Sequence, residues 1–234
     1  MSNNYFQFKQ FTVYHNLCAM KVGTDGVLLG AWAQGGKHIL DIGTGTGLIA
    51  LFMAQRYPKA DITGIDIDFG ACQQATANAA ISVFDKRIHI TCTAVQDYSA
   101  TEQFDAIVCN PPFYKNSLPS ANQQRTLARQ ATSLPTASLM RHVARLLTEG
   151  GEFSVIIPAA NKAEFDTEAL MNGLSASRVC AINTVPYKPV SRYLLAYTKG
   201  RCNTTEETEA CINDEYGEKS EWYTTLTKDF YIGL

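Results

Sequence analysis

Three glycines at alternate positions, in the run Asp41-Ile42-Gly43-Thr44-Gly45-Thr46-Gly47, constrain the fold more than any other feature of the sequence. The run follows an apolar segment typical of a short strand, 38–42, and precedes one typical of a helix, 48–56. Glycine lets the backbone turn tightly and lets a ligand approach it closely. The dinucleotide-binding fingerprint would need a glycine where the chain has Leu48. We therefore expect a strand, a ligand-binding loop and a helix, with a purely structural turn as the alternative.

Strand-like and helix-like segments alternate through the middle of the chain, as is typical of a parallel sheet with crossover helices. We expect an α/β, Rossmann-like fold with a seven-stranded, mostly parallel sheet, one antiparallel strand and helices on both faces. The last two strands should form an antiparallel pair. Residues 5–8 and 12–14 alternate like a small hairpin. The seven strands are predicted at 38–42, 61–66, 88–91, 104–109, 152–157, 175–185 and 192–198.

The spacing of the glycine run resembles the D-x-G-x-G-x-G loop of class I S-adenosylmethionine-dependent methyltransferases. This resemblance implies that Asp41, Gly43, Gly45 and Gly47 bind S-adenosylmethionine. Asp66 ends the second predicted strand, nineteen residues after Gly47, where an acid can accept both ribose hydroxyls of an adenosyl group. The alternative role for Asp66 is to cap the helix that starts near residue 69.

Three further residues are candidate cofactor contacts. Asp97, after the third strand, would accept the adenine amine, although an ordinary solvated turn residue is the alternative. Thr24 and Asp25 lie in a segment that, in a methyltransferase of this class, covers the methionine end of the cofactor. The alternative is that one of these two residues caps a helix that begins there.

The segment Asn110-Pro111-Pro112-Phe113 follows the fourth predicted strand. An amine conjugated to an aromatic ring is a poor nucleophile because its lone pair is delocalised. The side-chain oxygen of Asn110 and the backbone oxygen of Pro111 can each accept one hydrogen of such an amine, which directs the lone pair toward a methyl donor. The prolines stiffen the loop, and Phe113 offers a face for stacking. These residues predict amino-methyl transfer with Asn110, Pro111 and Phe113 in the catalytic site. Asn110 is also expected to contact the cofactor, although only marginally. A rigid turn is the alternative.

The chain as a whole resembles the bacterial tRNA-valine adenine-N(6) methyltransferases, from about residue 5 to residue 198. The resemblance is carried by G-T-D-G-V-L-L-G-A-W at 23–32, D-I-G-T-G-T-G-L-I-A-L at 41–51, G-I-D-I-D at 64–68, F-D-A-I-V-C-N-P-P-F at 104–113 and K-P-V-S-R-Y-L-L at 188–195. It implies a class I methyltransferase fold, S-adenosylmethionine as cofactor, and methylation of the adenosine 3′ to the anticodon of tRNA-valine.

The distribution of charge is uneven, although the net charge is only −2. Residues 106–148 contain no acid, whereas residues 204–234 hold eight acids and two lysines. We expect the region of Lys115, Arg125 and Arg129 to face tRNA. The alternative is a solvated polar loop that lacks acids by chance.

Composition gives no support to a membrane protein, a disulfide framework or a metal centre. No run of about 18 apolar residues is present, and the seven cysteines include no C-x-x-C pair. The four histidines lack ligand spacing, so we expect no metal. The N-terminus lacks the basic and apolar plan of a secretion signal, which predicts a cytoplasmic protein. We expect one methyltransferase domain over 1–234, with a hairpin and capping helix at 1–36, the catalytic core at 37–200 and an acidic extension at 201–234.

Three other functions compete. A ribosomal-RNA amino-methyltransferase shares N-P-P-F. A protein-glutamine methyltransferase would present the same kind of amide, but needs a peptide-docking domain for which the 37 residues before the first strand leave no room. A non-catalytic cofactor-binding subunit should have a broken loop at 41–47 or 110–113, and neither is broken.

Overall fold

The computed structural model describes residues 3–18, 21–112 and 134–233. The strands are β1 (Tyr5–Gln7), β2 (Thr12–Tyr14), β3 (His38–Ile42), β4 (Asp61–Asp66), β5 (Ile88–Cys92), β6 (Phe104–Cys109), β7 (Leu147–Pro158), β8 (Leu174–Asn183), β9 (Arg192–Lys199) and β10 (Glu206–Cys211). The α-helices are α1 (Thr24–Trp32), α2 (Leu48–Arg56), α3 (Phe69–Ala80), α4 (Thr136–Leu146), α5 (Lys162–Met171) and α6 (Glu221–Thr227).

The main sheet has the strand order β10-β8-β9-β7-β6-β3-β4-β5. Every neighbouring pair is parallel except those made by β9, which is antiparallel to both β7 and β8. The predicted mostly parallel sheet with one antiparallel strand is confirmed, and all seven predicted strands are present in it. The hairpin of β1 and β2 forms a separate two-stranded sheet.

An eighth strand, β10, extends the sheet beyond the seven predicted strands. It pairs in parallel with β8, from Glu206 opposite Arg178 to Cys211 opposite Asn183. The sequence did not indicate this strand because E-E-T-E-A-C is rich in glutamate, which is depleted in strands. An edge strand tolerates such residues because its outer side faces water.

Two hydrophobic cores, one on each face of the sheet, confirm the predicted helices on both faces. Successive residues of β3 alternate between them: Ile39 packs with α1 and α2, and Leu40 packs with α4 and α5. The first core also includes the end of the chain, where Phe230 stacks on Phe52 with ring centroids 4.1 Å apart. The Lys9 amide donates to the Phe230 carbonyl over 2.7 Å, so the last residues pack against the N-terminal hairpin.

None of the helices in the described ranges is long and apolar enough to cross a bilayer.

Candidate active site at the carboxyl edge of the sheet

The central parallel strands bring three predicted site segments to one edge of the sheet. Ile42, the last residue of β3, lies opposite Ile65 of β4 and Cys109 of β6. The glycine loop, Asp66 and Asn110 therefore emerge side by side from the carboxyl ends of β3, β4 and β6. Ligands of open α/β sheets bind at this edge.

The glycine loop adopts a backbone that other residues rarely adopt. Gly43, Gly45 and Gly47 have φ angles of 70°, 56° and 79°, in the left-handed region that costs roughly 1–2 kcal/mol for a residue with a β-carbon. A β-carbon at Gly43 would meet no atom within 4 Å, whereas one at Gly47 would lie 3.3 Å from Ala75 of α3. Gly47 thus allows helix packing, and Gly43 leaves open space above the loop.

Asp66 is tied to the glycine loop by its carboxylate. Its Oδ2 accepts a hydrogen bond from the Gly45 amide at 2.9 Å, and its Oδ1 accepts one from the Asp68 amide at 2.9 Å. The helix cap is Asp68, whose Oδ1 accepts from the Ala71 amide at 2.8 Å. The alternative role of Asp66 as the cap of α3 is therefore wrong. Each carboxylate oxygen keeps a second lone pair, as recognition of a diol requires.

Asp41 is fully buried beneath the loop. Its Oδ2 accepts from the Thr44 hydroxyl at 2.7 Å, and its Oδ1 makes no hydrogen bond within the described residues. Burial raises the pKa of Asp41 to about 7, and the hydrogen bond from the Thr44 hydroxyl offsets only part of this effect. A buried carboxyl with one unfilled oxygen is a site for a positively charged donor such as an ammonium group.

The first turn of α1 does not begin as the capping alternative predicted. Its N-cap is Gly23, in an extended conformation with no side-chain cap, so neither Thr24 nor Asp25 caps the helix. Thr24 is exposed at the first helical position. Asp25 forms an ion pair with Arg192 of β9, with 3.0 Å between Oδ2 and Nε. Both residues lie near the site, and their contact with a cofactor stays a prediction.

Asn110 lies against the start of α1 and is half-buried. A β-carbon at Gly26 would come within 3.8 Å of the Asn110 Nδ2 atom and 2.9 Å of the Leu48 side chain. The absence of a side chain at Gly26 therefore lets α1 pack closely against Leu48 at the start of α2, with Asn110 at van der Waals distance from the same position.

A cleft of about 310 Å³ opens beside the next two residues, Pro111 and Pro112. Among the described residues, its other walls come from the segment 134–135, from α4, from Asn161 and from α5, and the glycine loop contributes none of them. The volume is at the lower end of the range for small-molecule sites. The loop at 110–112 therefore lies between this cleft and the residues around Gly26.

The other residues predicted for the site have no described contact with the glycine loop, Asp66 or Asn110. Asp97 is exposed in a turn after β5, where its amide donates to the Ala94 carbonyl at 3.1 Å. Its contact with adenine stays a prediction. Phe113 and the predicted RNA contacts Lys115, Arg125 and Arg129 lie outside the described residues. No group of three or more histidine, cysteine or acidic residues within the described ranges could hold a metal ion.

Sequence reasoning missed two buried amides on α3. The Nδ2 atom of Asn78 donates to the carbonyl oxygens of Thr46 and Tyr14, each at 2.8 Å, and its Oδ1 accepts from the Tyr14 amide at 3.0 Å. The Oε1 atom of Gln74 accepts from the Leu17 amide at 3.0 Å. Their signal in the sequence is a spacing of four within an alanine-rich helix, which places both amides on one face.

Comparison with known proteins identifies the family. The methyltransferase small domain family matches residues 22–183. The tRNA1(Val) (adenine(37)-N6)-methyltransferase of Phocaeicola vulgatus is 45% identical, over 100% of this chain and 100% of that protein. The protein of the same name from Pseudoalteromonas translucida is 39% identical, over 98% and 99% of the two chains. The chain belongs to the tRNA1(Val) (adenine(37)-N6)-methyltransferase family.

Solved structures similar to this methyltransferase share its fold. A protein described as a predicted O-methyltransferase from Agrobacterium tumefaciens superposes with a TM-score of 0.70 at 17% identity, covering 88% of this chain and 96% of that one. A TehB-like S-adenosylmethionine-dependent methyltransferase from Corynebacterium glutamicum superposes with a TM-score of 0.50 at 19% identity, covering 77% and 90%. The predicted class I methyltransferase fold is therefore confirmed, and the cofactor of the methyltransferase is S-adenosylmethionine.

The residues present fit this cofactor in two respects. The unfilled Oδ1 of Asp41 is a buried acceptor that suits the ammonium group of a methionine moiety. The open space above Gly43 leaves room for a ligand to contact the loop backbone. Both observations concern the loop at 41–47, from which cofactor binding was predicted.

Proposed function

We propose that the chain transfers the methyl group of S-adenosylmethionine to the exocyclic N6 amine of an adenosine in tRNA, namely the adenosine 3′ to the anticodon of tRNA-valine. The observation that carries this proposal is the position of Asn110-Pro111 beside the glycine loop and Asp66, at one edge of the sheet. The names of the relatives support the choice of RNA and nucleotide.

Asn110 and Pro111 act on the amine. The side-chain oxygen of Asn110 and the carbonyl oxygen of Pro111 each accept one of its hydrogens, and the lone pair of the nitrogen then leaves the plane of the ring. When bound, S-adenosylmethionine would supply an electrophilic methyl group whose bond to sulfur breaks as the bond to nitrogen forms, with a neutral thioether as the leaving group. Because the amine sheds its proton after attack, the reaction needs alignment of the reacting atoms more than a strong base. Phe113 provides the stacking face for the adenine.

The cofactor is held by the edge of the sheet. Asp66 accepts the ribose hydroxyls, Asp41 balances the ammonium group, and Gly43, Gly45 and Gly47 let the loop backbone approach the ligand. Thr24 and Asp25 lie at the methionine end, and Asp97 accepts the adenine amine. These assignments follow from the chemistry of each group and its place in the fold.

The RNA-facing surface includes Lys115, Arg125 and Arg129, which follow Asn110 within twenty residues. Cations there would neutralise the phosphates that flank the target nucleotide. One methyltransferase domain over 1–234 performs this reaction, with the hairpin and capping helix at 1–36, the catalytic core at 37–200 and the acidic extension at 201–234. The proposal also implies a cytoplasmic location, since tRNA is the substrate.

One experiment tests the proposed function. The enzyme and tritiated S-adenosylmethionine are incubated in three parallel reactions, with tRNA, with ribosomal RNA or with a protein fraction. The labelled RNA is then digested to nucleosides. We expect label in N6-methyladenosine from tRNA-valine, and at least about a hundredfold slower labelling with Asn110→Ala. Label confined to ribosomal RNA or to protein glutamine would replace the proposal by one of its alternatives.

A further inference from the structure

The loop between β8 and β9, residues 184–191, combines an exposed aromatic ring with a cation. The Tyr187 side chain is 75% exposed, and Lys188 beside it is exposed as well. The loop contains no acidic residue. A base can stack on such a ring, and an ammonium group can contact the neighbouring phosphate.

The β8–β9 loop lies at the same edge of the sheet as the candidate active site. Because β9 is antiparallel to β7, it begins where β7 ends, with Arg192 opposite Pro158. The amide of Ala159, the residue after β7, donates to the Ser191 carbonyl at 3.2 Å. The loop therefore extends from the carboxyl edge, where Asn110 follows β6.

A short chain of contacts connects this loop to Asn110. Arg192, the first residue of β9 after the loop, donates through Nε to Asp25 at 3.0 Å, and through Nη1 to the Ser191 carbonyl at 2.9 Å. Asp25 precedes Gly26, the position at which α1 approaches the Asn110 side chain. Only the first turn of α1 separates the loop from the proposed amine site along this path.

The loop backbone is held in place before any ligand binds. The Lys188 amide donates to the Val185 carbonyl at 3.1 Å, and the Ser191 amide donates to the Ile182 carbonyl at 2.8 Å. The Val185 side chain is buried, and prolines at 186 and 189 fix two further φ angles. A ring on such a loop is presented with little loss of conformational entropy on binding.

We propose that the β8–β9 loop binds an unpaired nucleotide that flanks the target adenosine, with the base stacked on Tyr187 and its phosphate beside Lys188. This inference rests on the proposed function, because it assumes that the substrate is an RNA loop. It assigns substrate recognition to residues far in sequence from Lys115, Arg125 and Arg129.

A second exposed tyrosine at this edge provides a matched control. Tyr216 is 82% exposed, in the turn between β10 and α6 that also carries Asp214, Glu215 and Glu218. This turn adjoins the start of the β8–β9 loop, since the Asn213 amide donates to the Thr184 carbonyl at 3.0 Å. The acids disfavour phosphate there, so the RNA should extend from Tyr187 toward α1 and away from Tyr216.

The test compares Tyr187→Ala, Tyr187→Phe and Tyr216→Ala in the full chain. An anticodon stem-loop RNA is titrated by fluorescence anisotropy, the KM for tRNA and kcat are measured, and calorimetry with S-adenosylmethionine checks the fold of each variant. We expect Tyr187→Ala to weaken RNA binding and raise KM by at least about fivefold, with kcat and cofactor affinity near the parental values. Tyr187→Phe keeps the ring and should restore binding, and Tyr216→Ala should resemble the parent.

Lys188→Gln should lower the slope of log affinity against log salt by about 0.7.

Parental RNA affinity and KM in Tyr187→Ala would overturn the inference, as would equal losses in Tyr187→Ala and Tyr216→Ala. Failure of the proposed function has a different signature. In that case the parental protein would methylate no tRNA, whatever residue stands at 187.

Discussion

The side-chain amide of Asn78 donates a hydrogen bond to the Thr46 carbonyl oxygen over 2.8 Å. The same side chain exchanges hydrogen bonds with the backbone of Tyr14, so one residue of α3 joins the glycine loop to the N-terminal hairpin. Asn78 is fully buried, and its side chain satisfies polar backbone groups of Tyr14 and Thr46.

Asn78→Ala should destabilise the protein and loosen the glycine loop. Each buried polar group left without a partner costs about 1–3 kcal/mol, so we expect the free energy of unfolding to fall by at least about 2 kcal/mol. Affinity for S-adenosylmethionine should fall as well, because the loop is less well held. Urea denaturation and calorimetry measure the two effects. The control is Gln73→Ala, at an exposed position of the same helix, which should change neither the free energy of unfolding nor the cofactor affinity. An unaltered unfolding midpoint in Asn78→Ala would contradict the role given to Asn78.

Asp66→Ala should weaken cofactor binding at least tenfold. The variant cannot form the charge-assisted hydrogen bonds to the ribose hydroxyls, each worth on the order of 1.5–3 kcal/mol. Asp68→Ala is the matched control, because it removes the cap of α3, worth about 1 kcal/mol of stability, without removing a proposed ligand contact. Calorimetry showing parental affinity in a folded Asp66→Ala variant would remove Asp66 from the cofactor site.

Asn110→Ala should separate chemistry from cofactor binding. Asn110 contacts the accepting amine, so turnover should fall by roughly two or more orders of magnitude, the equivalent of about 3 kcal/mol of alignment. S-adenosylmethionine should still bind with nearly parental affinity. Single-turnover assays with tRNA make the measurement. Asn172→Ala, near the opposite edge of the sheet, should keep full activity; near-normal turnover in Asn110→Ala would exclude the proposed role.

Asp41 should make the ligand-free protein less stable as pH rises. Its pKa of about 7 in the folded state lies above the value of about 3.9 expected in the unfolded chain, so the folded state binds the proton more tightly. The stability due to this proton is fully present below about pH 4 and is lost as pH rises to about 7. At pH 8 the buried charge should cost about 2–4 kcal/mol.

Asp41→Asn tests this expectation because asparagine has the same shape and no charge. In the ligand-free state the variant should be more stable than the parent at pH 8, and the difference should shrink as pH falls from about 7 to 4. Its affinity for S-adenosylmethionine should be lower, since the acceptor for the ammonium group is neutral. Thermal unfolding across this pH range measures the difference; parallel curves for parent and variant would show that Asp41 does not titrate in this window.

Replacing Lys115, Arg125 and Arg129 together by glutamine should flatten the salt dependence of tRNA binding. Removing one cation that neutralises a phosphate lowers the slope of log affinity against log salt by about 0.7–0.9, so the slope should fall by about two units or slightly more if all three cations contact phosphates. Cofactor affinity should not change. The control is the same charge change at the amino edge of the sheet, where Lys37, Lys59 and Lys86 precede strands. If both triple variants show the parental slope, the RNA-binding surface does not include Lys115, Arg125 and Arg129.

Sequence patterns were sufficient for the elements that their own residues determine. The central strands are marked by apolar runs, and the loop at 43–47 is marked by glycines, which a left-handed backbone favours. Both signals are local, so the sheet and this loop could be predicted. The start of α1 could not be placed in detail. Thr24 and Asp25 are good capping residues, but the Asp25 side chain is engaged by Arg192, 167 residues away, and Gly23 takes the cap position.

The missed features have partners distant in the sequence. Asn78 bonds to Tyr14, 64 residues away, and no local pattern shows which backbone group a buried amide will meet. Strand β10 is held by the edge of β8 and not by its own composition, so its glutamates indicated a solvated tail. In both cases tertiary context overrides local propensity.

The parallel pairing of β10 with β8 affects whether separate copies of this chain can associate through the edges of their sheets. Without β10, the backbone amides and carbonyls along β8, together with its buried Val179, Cys180 and Ile182, would form an open border that another chain could extend. With β10 in place, that border instead carries Glu206, Glu207 and Glu209, which are exposed. Two such borders, each carrying three exposed carboxylates, would repel each other, which disfavours strand-by-strand association of separate copies.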